Sequence, residues 1–267
     1  MQTIEVDALE GLRDLEDAGG GWVAELATRS TTTTPQLGKW EIKVHEYYAQ
    51  PAATQKLLDM ASLDVEAWLA GKVSRKFAIA TASAYTTGDG VGKPRGFASY
   101  ATAATADSSR SWGVFEHVAT GSSGSFGTDP NAIQKLLLLM SKLDDAHVPN
   151  AAFYMNRTTK WAVRSLTDAS SAGKFVFIPS FVAGVPDTLL GAPVRVIPDM
   201  ATYTTGDSLA IAYGDMAEAY QIVDGPGPRV LRDPFSSKPY VLFYTTAFFG
   251  GDVLNFNALK FLKFGSS

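Results

Sequence analysis

Apolar and polar residues alternate in short runs at both ends of the chain and switch to a helical period at two places between. Near the amino terminus Ile4 and Val6, then Trp22, Ala24 and Leu26, mark extended segments. They are separated by Gly19-Gly20-Gly21 and closed by Ser30-Thr31-Thr32-Thr33-Thr34-Pro35. This reads as a long hairpin with little of its own to pack on. A lone two-stranded ribbon buries too little apolar surface to offset its ordering entropy, so the hairpin is expected to lie on a neighbouring copy. A loose terminus is the bland alternative. Trp22 favours the first reading, because a large aromatic is costly to leave in water.

A strand follows, with Trp40, Ile42, Val44, Glu46 and Tyr48 on one side. From about 62 to 86 the period becomes helical: Val65, Trp68, Leu69, Val73, Phe77, Ala80 and Ala84 recur at steps of three and four, with Ser62 as the expected N-cap and Gly88 as the stop. Such a helix is on the order of 35 Å long and reads as a spine. Its polar face carries Lys72, Arg75 and Lys76, which are either simply solvated, the reading preferred for a charge run, or a weak contact to DNA.

A second helix is expected from Thr128 or Asp129 as cap, with Pro130 in its first turn and Ile133, Leu136, Leu137, Met140 and Leu143 on one face, ending near His147 and Pro149. Ala151–Met155 then reads as a buried strand, and Asn156 caps a short helix with Trp161 and Leu166. Strands are expected at Phe175–Ile178, Val194–Ile197, Leu209–Tyr213 and Tyr220–Val223. After the break Asp224-Gly225-Pro226-Gly227-Pro228 come two more, Tyr240–Phe249 and Ala258–Phe264, both expected to return and pair with the strand near Trp40. The fold class is α+β.

Composition narrows the function. A chain of 267 residues, 46% hydrophobic and 19% charged, can bury a real core. Its formal charge of −4, from 23 basic against 27 acidic residues, supplies no summed positive field for tight nucleic-acid binding. The absence of cysteine removes disulfides, thiolate nucleophiles and sulfur-ligated metals together. The longest strongly apolar run, Leu136 to Met140, is far short of the roughly 20 residues of a membrane helix, and no basic, apolar leader opens the sequence. The expectation is a soluble chain with no membrane partner.

No motif advertises chemistry. Gly88-Asp89-Gly90-Val91-Gly92-Lys93-Pro94-Arg95-Gly96 fails as a phosphate loop: Thr87 stands where the first glycine belongs, Pro94 follows Lys93, and a helix precedes it where a strand is needed. The dinucleotide fingerprint fails too, since Lys93 stands where its third glycine should be. His45, His117 and His147 have no partner at metal-ligand spacing and read as structural histidines. No Gly-x-Ser-x-Gly elbow is present. The Asn156-Arg157-Thr158 sequon means little without secretion. No catalytic, cofactor-binding or metal residue is assigned, and the chain is not expected to be an enzyme.

Several short segments, in this order, resemble the tailed-phage major capsid family, which includes the capsid proteins of gene transfer agents (GTAs). They are Pro51-Ala52-Ala53-Thr54-Gln55, Gly88-Asp89-Gly90 with Lys93-Pro94 and Gly96-Phe97, Met155-Asn156-Arg157-Thr158, Leu190-Gly191-Ala192-Pro193-Val194 and Tyr213-Gly214-Asp215. Each is weak alone; their order along the chain from Pro51 to Asp215 is specific. The resemblance implies a Hong Kong 97-type fold, with residues 1–7 a remnant of an N-terminal arm and 8–39 an extended loop. It implies a peripheral domain of 40–125 plus 226–267 with the spine helix, and an axial domain of 126–225.

It also implies assembly into pentamers and hexamers that close a shell around double-stranded DNA, with Trp22, Val23, Leu26 and Arg29 contacting a neighbour and with portal and decoration proteins as further partners. The protein would belong to the virion or a virion-like particle, and to the cytoplasm of the producing bacterium before release. Some members weld their shells through a Lys of the extended loop, a neighbour's Asn and a catalytic Glu. Here Arg29 falls near the Lys position and the surroundings of Phe248 and Phe249 offer no Glu, so cross-linking is not expected, although Lys39 keeps it open. A sequence that starts inside the capsid domain is expected to be a processed or trimmed form. Two other functions stay in view: an encapsulin-like compartment holding protein cargo, and a soluble hydrolase using His45 or His147.

Overall fold

A computed structural model describes residues 2–4, 7–16, 22, 36–60, 62, 64–127, 131–168, 174–175, 177–180, 182 and 184–265. In chain order, β1 (Gln2–Thr3), β2 (Ala8–Glu16), β3 (Gln36–Ala49) and β4 (Ala52–Thr54) lead into α1 (Gln55–Met60) and the long α2 (Val65–Thr87). A turn and a 3-10 segment, Phe97–Ser99, precede β5 (Thr102–Ala103), β6 (Phe115–Ala119) and α3 (Asn131–Ser141). Then come β7 (Ala152–Met155), α4 (Arg157–Arg164), β8 (Thr167–Asp168), β9 (Lys174–Phe175), β10 (Phe177–Ile178), β11 (Thr188–Leu189), β12 (Ala192–Val196) and β13 (Ser208–Gly214). The chain finishes with α5 (Met216–Ala219), β14 (Tyr220–Asp224), β15 (Arg229–Asp233), β16 (Tyr240–Val253) and β17 (Leu259–Phe264).

Two large sheets carry the described residues. The first runs β1-β14-β16-β3-β2, with β15 and β4 also on β16. The second runs β10-β11-β12-β7-β13-β17-β6-β5. β16 organises the first: its fourteen residues pair with β4 and then β3 along one edge and with β15 and then β14 along the other. Its return to the strand at Trp40 matches the sequence expectation, with Thr245 opposite Ala49 and Gly250 opposite Val44. The second returning strand does not follow it. β17 enters the other sheet, antiparallel to β13 and parallel to β6. The reason lies in its side chains: Leu259, Lys260, Phe261 and Leu262 are all fully buried, so both faces need cover, which an interior position between two strands under helices supplies.

α2 begins at Val65, and its N-cap is Asp64, whose carboxylate accepts a hydrogen bond from the Ala67 amide at 3.0 Å, in place of the expected Ser62. Gly88 ends it as expected, its N–H donating to the Ala84 carbonyl at 2.9 Å. The chain then doubles back so tightly that a Cβ on Gly88 would lie 2.1 Å from the Pro94 carbonyl oxygen and one on Gly96 2.4 Å from the Thr86 carbonyl carbon. Gly88 and Gly96, which bound the segment that fails as a phosphate loop, therefore serve a close backbone crossing. Val65, Val73 and Phe77 of α2 are buried, whereas Trp68, placed by spacing on the same face, is half exposed.

Other differences are local. α3 closes at Ser141, well before His147, because a short 3-10 turn at Val148–Asn150 takes over; its expected cap at 128–130 lies outside the described residues. Asn156 does cap α4, accepting from the Thr158 amide at 2.9 Å. β6 and β15, α1 and β4 carried no periodic signal strong enough to be expected. The hairpin at the amino terminus has Ala8–Glu16 and Gln36–Lys43 as its legs, with Leu9 opposite Ile42 and Leu12 opposite Lys39. Ile4 is not part of it; it is buried beside Ile42 and Val223.

The two sheets share one core. Tyr220 and Val253 of the first sheet pack in the same cluster as Phe115, Ala152, Tyr154, Ala212, Leu259 and Phe261 of the second. A second cluster, under α3 and α4, centres on Leu136, Leu139, Phe153, Val163, Ile211 and Leu262. Between α3 and β17 sits a buried ionic group. The Lys260 ammonium, with no solvent exposure, contacts the Asp107 carboxylate and lies 3.0 Å from Glu116 Oε2. Arg110 completes it with an ion pair to Asp107 and a 2.8 Å hydrogen bond to Asn257. Glu116 Oε1 lies 3.2 Å from the Lys142 ammonium without hydrogen-bond alignment, so that contact is an ion pair only.

Removing Lys260 leaves Glu116, whose side chain is 2% exposed, with less compensating charge in a buried site, a change of the kind that costs about 3–5 kcal/mol. Lys260→Met is therefore expected to lower the unfolding free energy of the unassembled subunit by that order, read by urea titration; a change below about 1 kcal/mol would mean that water already reaches the carboxylates.

Candidate assembly surfaces

The first surface is the hairpin. Cross-strand partners share a face, so Leu9, Ile42 and Trp40 turn one way while Glu10, Leu12, Lys39 and Glu41 turn the other. On the inner face Trp40 lies against Gly11, where any Cβ would come within 2.3 Å of the indole. On the outer face Leu12 and Leu37 are 70% and 67% exposed, beside an exposed Lys39–Glu10 pair at 2.8 Å whose hydrogen bond raises the Lys39 ammonium above its usual range. Trp22 is fully exposed. Val23, Leu26 and Arg29, expected with it at a subunit contact, lie outside the described residues.

α2 carries the second surface. Lys72, Arg75 and Lys76 are all exposed; the Lys72 ammonium sits 5.6 Å from the centre of the Trp68 ring, and Lys76 lines a cavity with His45, Glu46 and Tyr47 of β3. α2 also stands over a groove of about 760 Å³ lined by Leu69, Val73, Phe77, Phe243, Ala247 and Pro226.

The far face of the first sheet is a third. Tyr48, Leu231 and Tyr240 are exposed there, with Tyr48 and Tyr244 in ring contact at 6.1 Å. Nothing in their spacing distinguished them from buried strand residues, because burial on one face or two depends on what packs across the sheet.

Among the described residues no group of three or more His, Asp or Glu side chains could hold a metal ion. His117 is buried in β6 with both ring nitrogens unpartnered, and burial, helped by the Lys263 charge, pushes its pKa down. His45 and His147 are half-buried. Asp252, at the seam between the sheets, accepts from the Tyr100 hydroxyl, and burial raises its carboxyl above the ordinary carboxylate range. Arg95 stacks 3.8 Å from the Tyr100 ring centre and its carbonyl accepts from Tyr220 at 2.8 Å, which locks the seam without leaving a site.

The sequence profile of the phage capsid family matches residues 1–264. This chain belongs to that family. Among solved structures it is similar to the capsid of a native GTA particle, 42% identical over 98% of this chain and 86% of that one, with a TM-score of 0.89. The capsid of an empty GTA particle gives 41% identity over 99% and 87%, with a TM-score of 0.86. The capsid of Myoviridae phage XM1, at 12% identity and a TM-score of 0.66 over 97% and 86%, shares the fold alone. No curated protein matches. The capsid protein therefore has the Hong Kong 97-like fold expected from its sequence, and it is a capsid subunit and a component of a particle. The GTA likeness favours this over the encapsulin-like and hydrolase readings.

Two opposite pH effects follow from the seam and from β6. A depressed His117 contributes stability above its unfolded pKa of about 6.5 that is lost as the pH falls through the folded value. A raised Asp252 contributes stability at low pH that is lost as the pH rises through its folded value. Hence His117→Phe should flatten the loss of thermal stability below about pH 6.5. Asp252→Asn, which keeps an acceptor for Tyr100, should raise Tm at neutral pH and lose that advantage in acid. Thermal melts of the unassembled subunit from neutral to acid pH check both; parallel shifts at all pH values would rule the titrations out.

Proposed function

We propose that this capsid protein is the major shell subunit of a phage head or gene transfer agent particle. It assembles as pentamers and hexamers into an icosahedral shell around double-stranded DNA, which it holds without sequence specificity. The observation that carries the reading is the 42% identity, maintained over 98% of the chain, to the capsid of a GTA particle. It rests also on a hairpin whose outer-face residues Leu12 and Leu37 are exposed, as is Trp22.

In this reading residues 8–39 form the extended loop that lies across a neighbour, with Trp22, Val23, Leu26 and Arg29 in the contact. Residues 40–125 and 226–267 form the peripheral domain, and 126–225 the axial domain. β6 and β17 join the sheet of axial strands, so the two domains share a sheet as well as a core. Each contact can be modest, because closure of a shell engages many at once and each raises the effective concentration for the next. Lys72, Arg75 and Lys76 make at most weak phosphate contacts, since a net charge of −4 gives no long-range attraction to DNA. Portal and decoration proteins are further partners, no cofactor or catalytic step is involved, and the subunit resides in the bacterial cytoplasm before the particle is released.

Electron microscopy of the purified protein is the direct test: uniform hollow or filled polyhedra are expected, and a chain that stays monomeric under all solution conditions refutes the reading. Trp22→Glu should leave the circular dichroism of the subunit unchanged and reduce particle yield; normal assembly of that variant removes Trp22 from the contact. Particle stability should depend only moderately on salt, and steep loss of DNA-filled particles on raising ionic strength would instead reveal a dominant phosphate term.

A further inference from the structure

β15 is a short edge strand set between Pro228 and Pro234. It pairs with β16 on one side and with no strand on the other among the described residues. Four of its five residues are exposed and the fifth is half-buried. Two of them are aliphatic, one on each face: Val230 at 64% and Leu231 at 62% exposure. A row of free backbone groups flanked by aliphatic side chains is a template for another strand.

The sequence of this edge, Arg229-Val230-Leu231-Arg232-Asp233, is complementary to itself when read antiparallel. Centring a two-fold axis on Leu231 sets Arg229 opposite the other copy's Asp233, and the reverse, with Leu231 opposite Leu231 between them. The charges that this pairing needs are available. Arg229 has no ion-pair partner among the described residues, whereas Arg232, on the groove side, is already held by Glu66 at 3.2 Å. Asp233 accepts from the Phe235 amide at 2.8 Å and from Ser236, which keep it ionised. Parallel pairing would set Arg229 beside Arg229 and Asp233 beside Asp233, so charge selects the antiparallel arrangement.

We propose that β15 pairs antiparallel with β15 of a second copy across a two-fold axis, joining the first sheets of two subunits into one continuous sheet. The inference rests on the shell-subunit reading and deepens it, because a two-fold contact is isologous and cannot by itself build a five- or six-membered ring. It is therefore a contact between neighbouring capsomers, where a shell of pentamers and hexamers has its two-fold and local two-fold axes. The extended loop acts within or around a capsomer, and β15 acts between them.

The cysteine-free chain makes the test simple. Directly opposed residues of an antiparallel pair have Cα atoms about 4.5–5.5 Å apart, inside the roughly 4.4–6.8 Å range of a disulfide. Leu231→Cys should therefore yield a covalent dimer on a non-reducing gel after mild oxidation of assembled particles, and only monomer from the unassembled subunit. Particles that form normally yet keep a free thiol overturn the pairing while leaving the shell reading intact; absence of particles from the wild-type chain overturns the shell reading instead. As a second measurement, Arg229→Asp places like charges opposite each other twice per axis and should cut particle yield at low salt by about tenfold or more. This yield also decides the matter if the folded Leu231→Cys chain does not assemble. Unchanged yield of Arg229→Asp overturns the proposal.

Discussion

The architecture depends on one constraint: the fourteen residues of β16 must satisfy backbone hydrogen bonds along both edges. Four strands meet that demand, and they come from opposite sides of the sequence, β3 and β4 from before α2 and β14 and β15 from after β13. Because β16 is shared, neither end of the chain can form its sheet without the other. Its neighbours are chosen for close approach. Gly250 and Gly251 let Lys43 and Tyr220 come within distances that any Cβ would forbid, and Gly225 does the same beneath Phe248.

The same continuity welds the two sheets. β16 ends at Val253 inside a core it shares with β6, β7, β13 and β17, and the chain turns through Phe256 directly into β17. Asp252, Tyr100, Arg95 and Tyr220 then fasten that seam by hydrogen bonds and ring stacking, while Lys260 and its carboxylates fasten β17 to the loop before β6. With the interior so committed, what remains exposed is a set of surfaces with no cover of their own: the outer face of the hairpin, Trp22, the far face of the first sheet and the edge of β15. A subunit with a rigid centre and apolar margins is suited to making contacts with copies of itself that close a shell.

Much of this was legible in the residues. The 3.6-residue period from Val65 to Ala84, the cap at Asn156, the stop at Gly88 and the buried run at Ala152–Met155 each have a local cause, and each element lies where its cause put it. The shell reading was legible too, from an ordered series of short segments and from a hairpin too poor in apolar residues to stand alone. What failed had non-local causes. Ser62 and Asp64 are both competent caps, and only the backbone path decides which side chain reaches an unpaired amide. β15, with Arg229, Arg232 and Asp233 among five residues, has no strand pattern; it is a strand because β16 offers it an edge.

By itself, then, the sequence determined the longer helices α2, α3 and α4, several turns and the capsid family, because propensity, capping and periodicity act over a few neighbouring residues. The tertiary structure decided which strands pair, that the last strand belongs to the second sheet, and that Lys260 and Asp252 are buried. Those outcomes depend on hydrogen bonds and packing between residues distant in the sequence, for which one sequence contains no local signal. The exposed edges and faces were decided in the same way, by which surfaces the fold left uncovered.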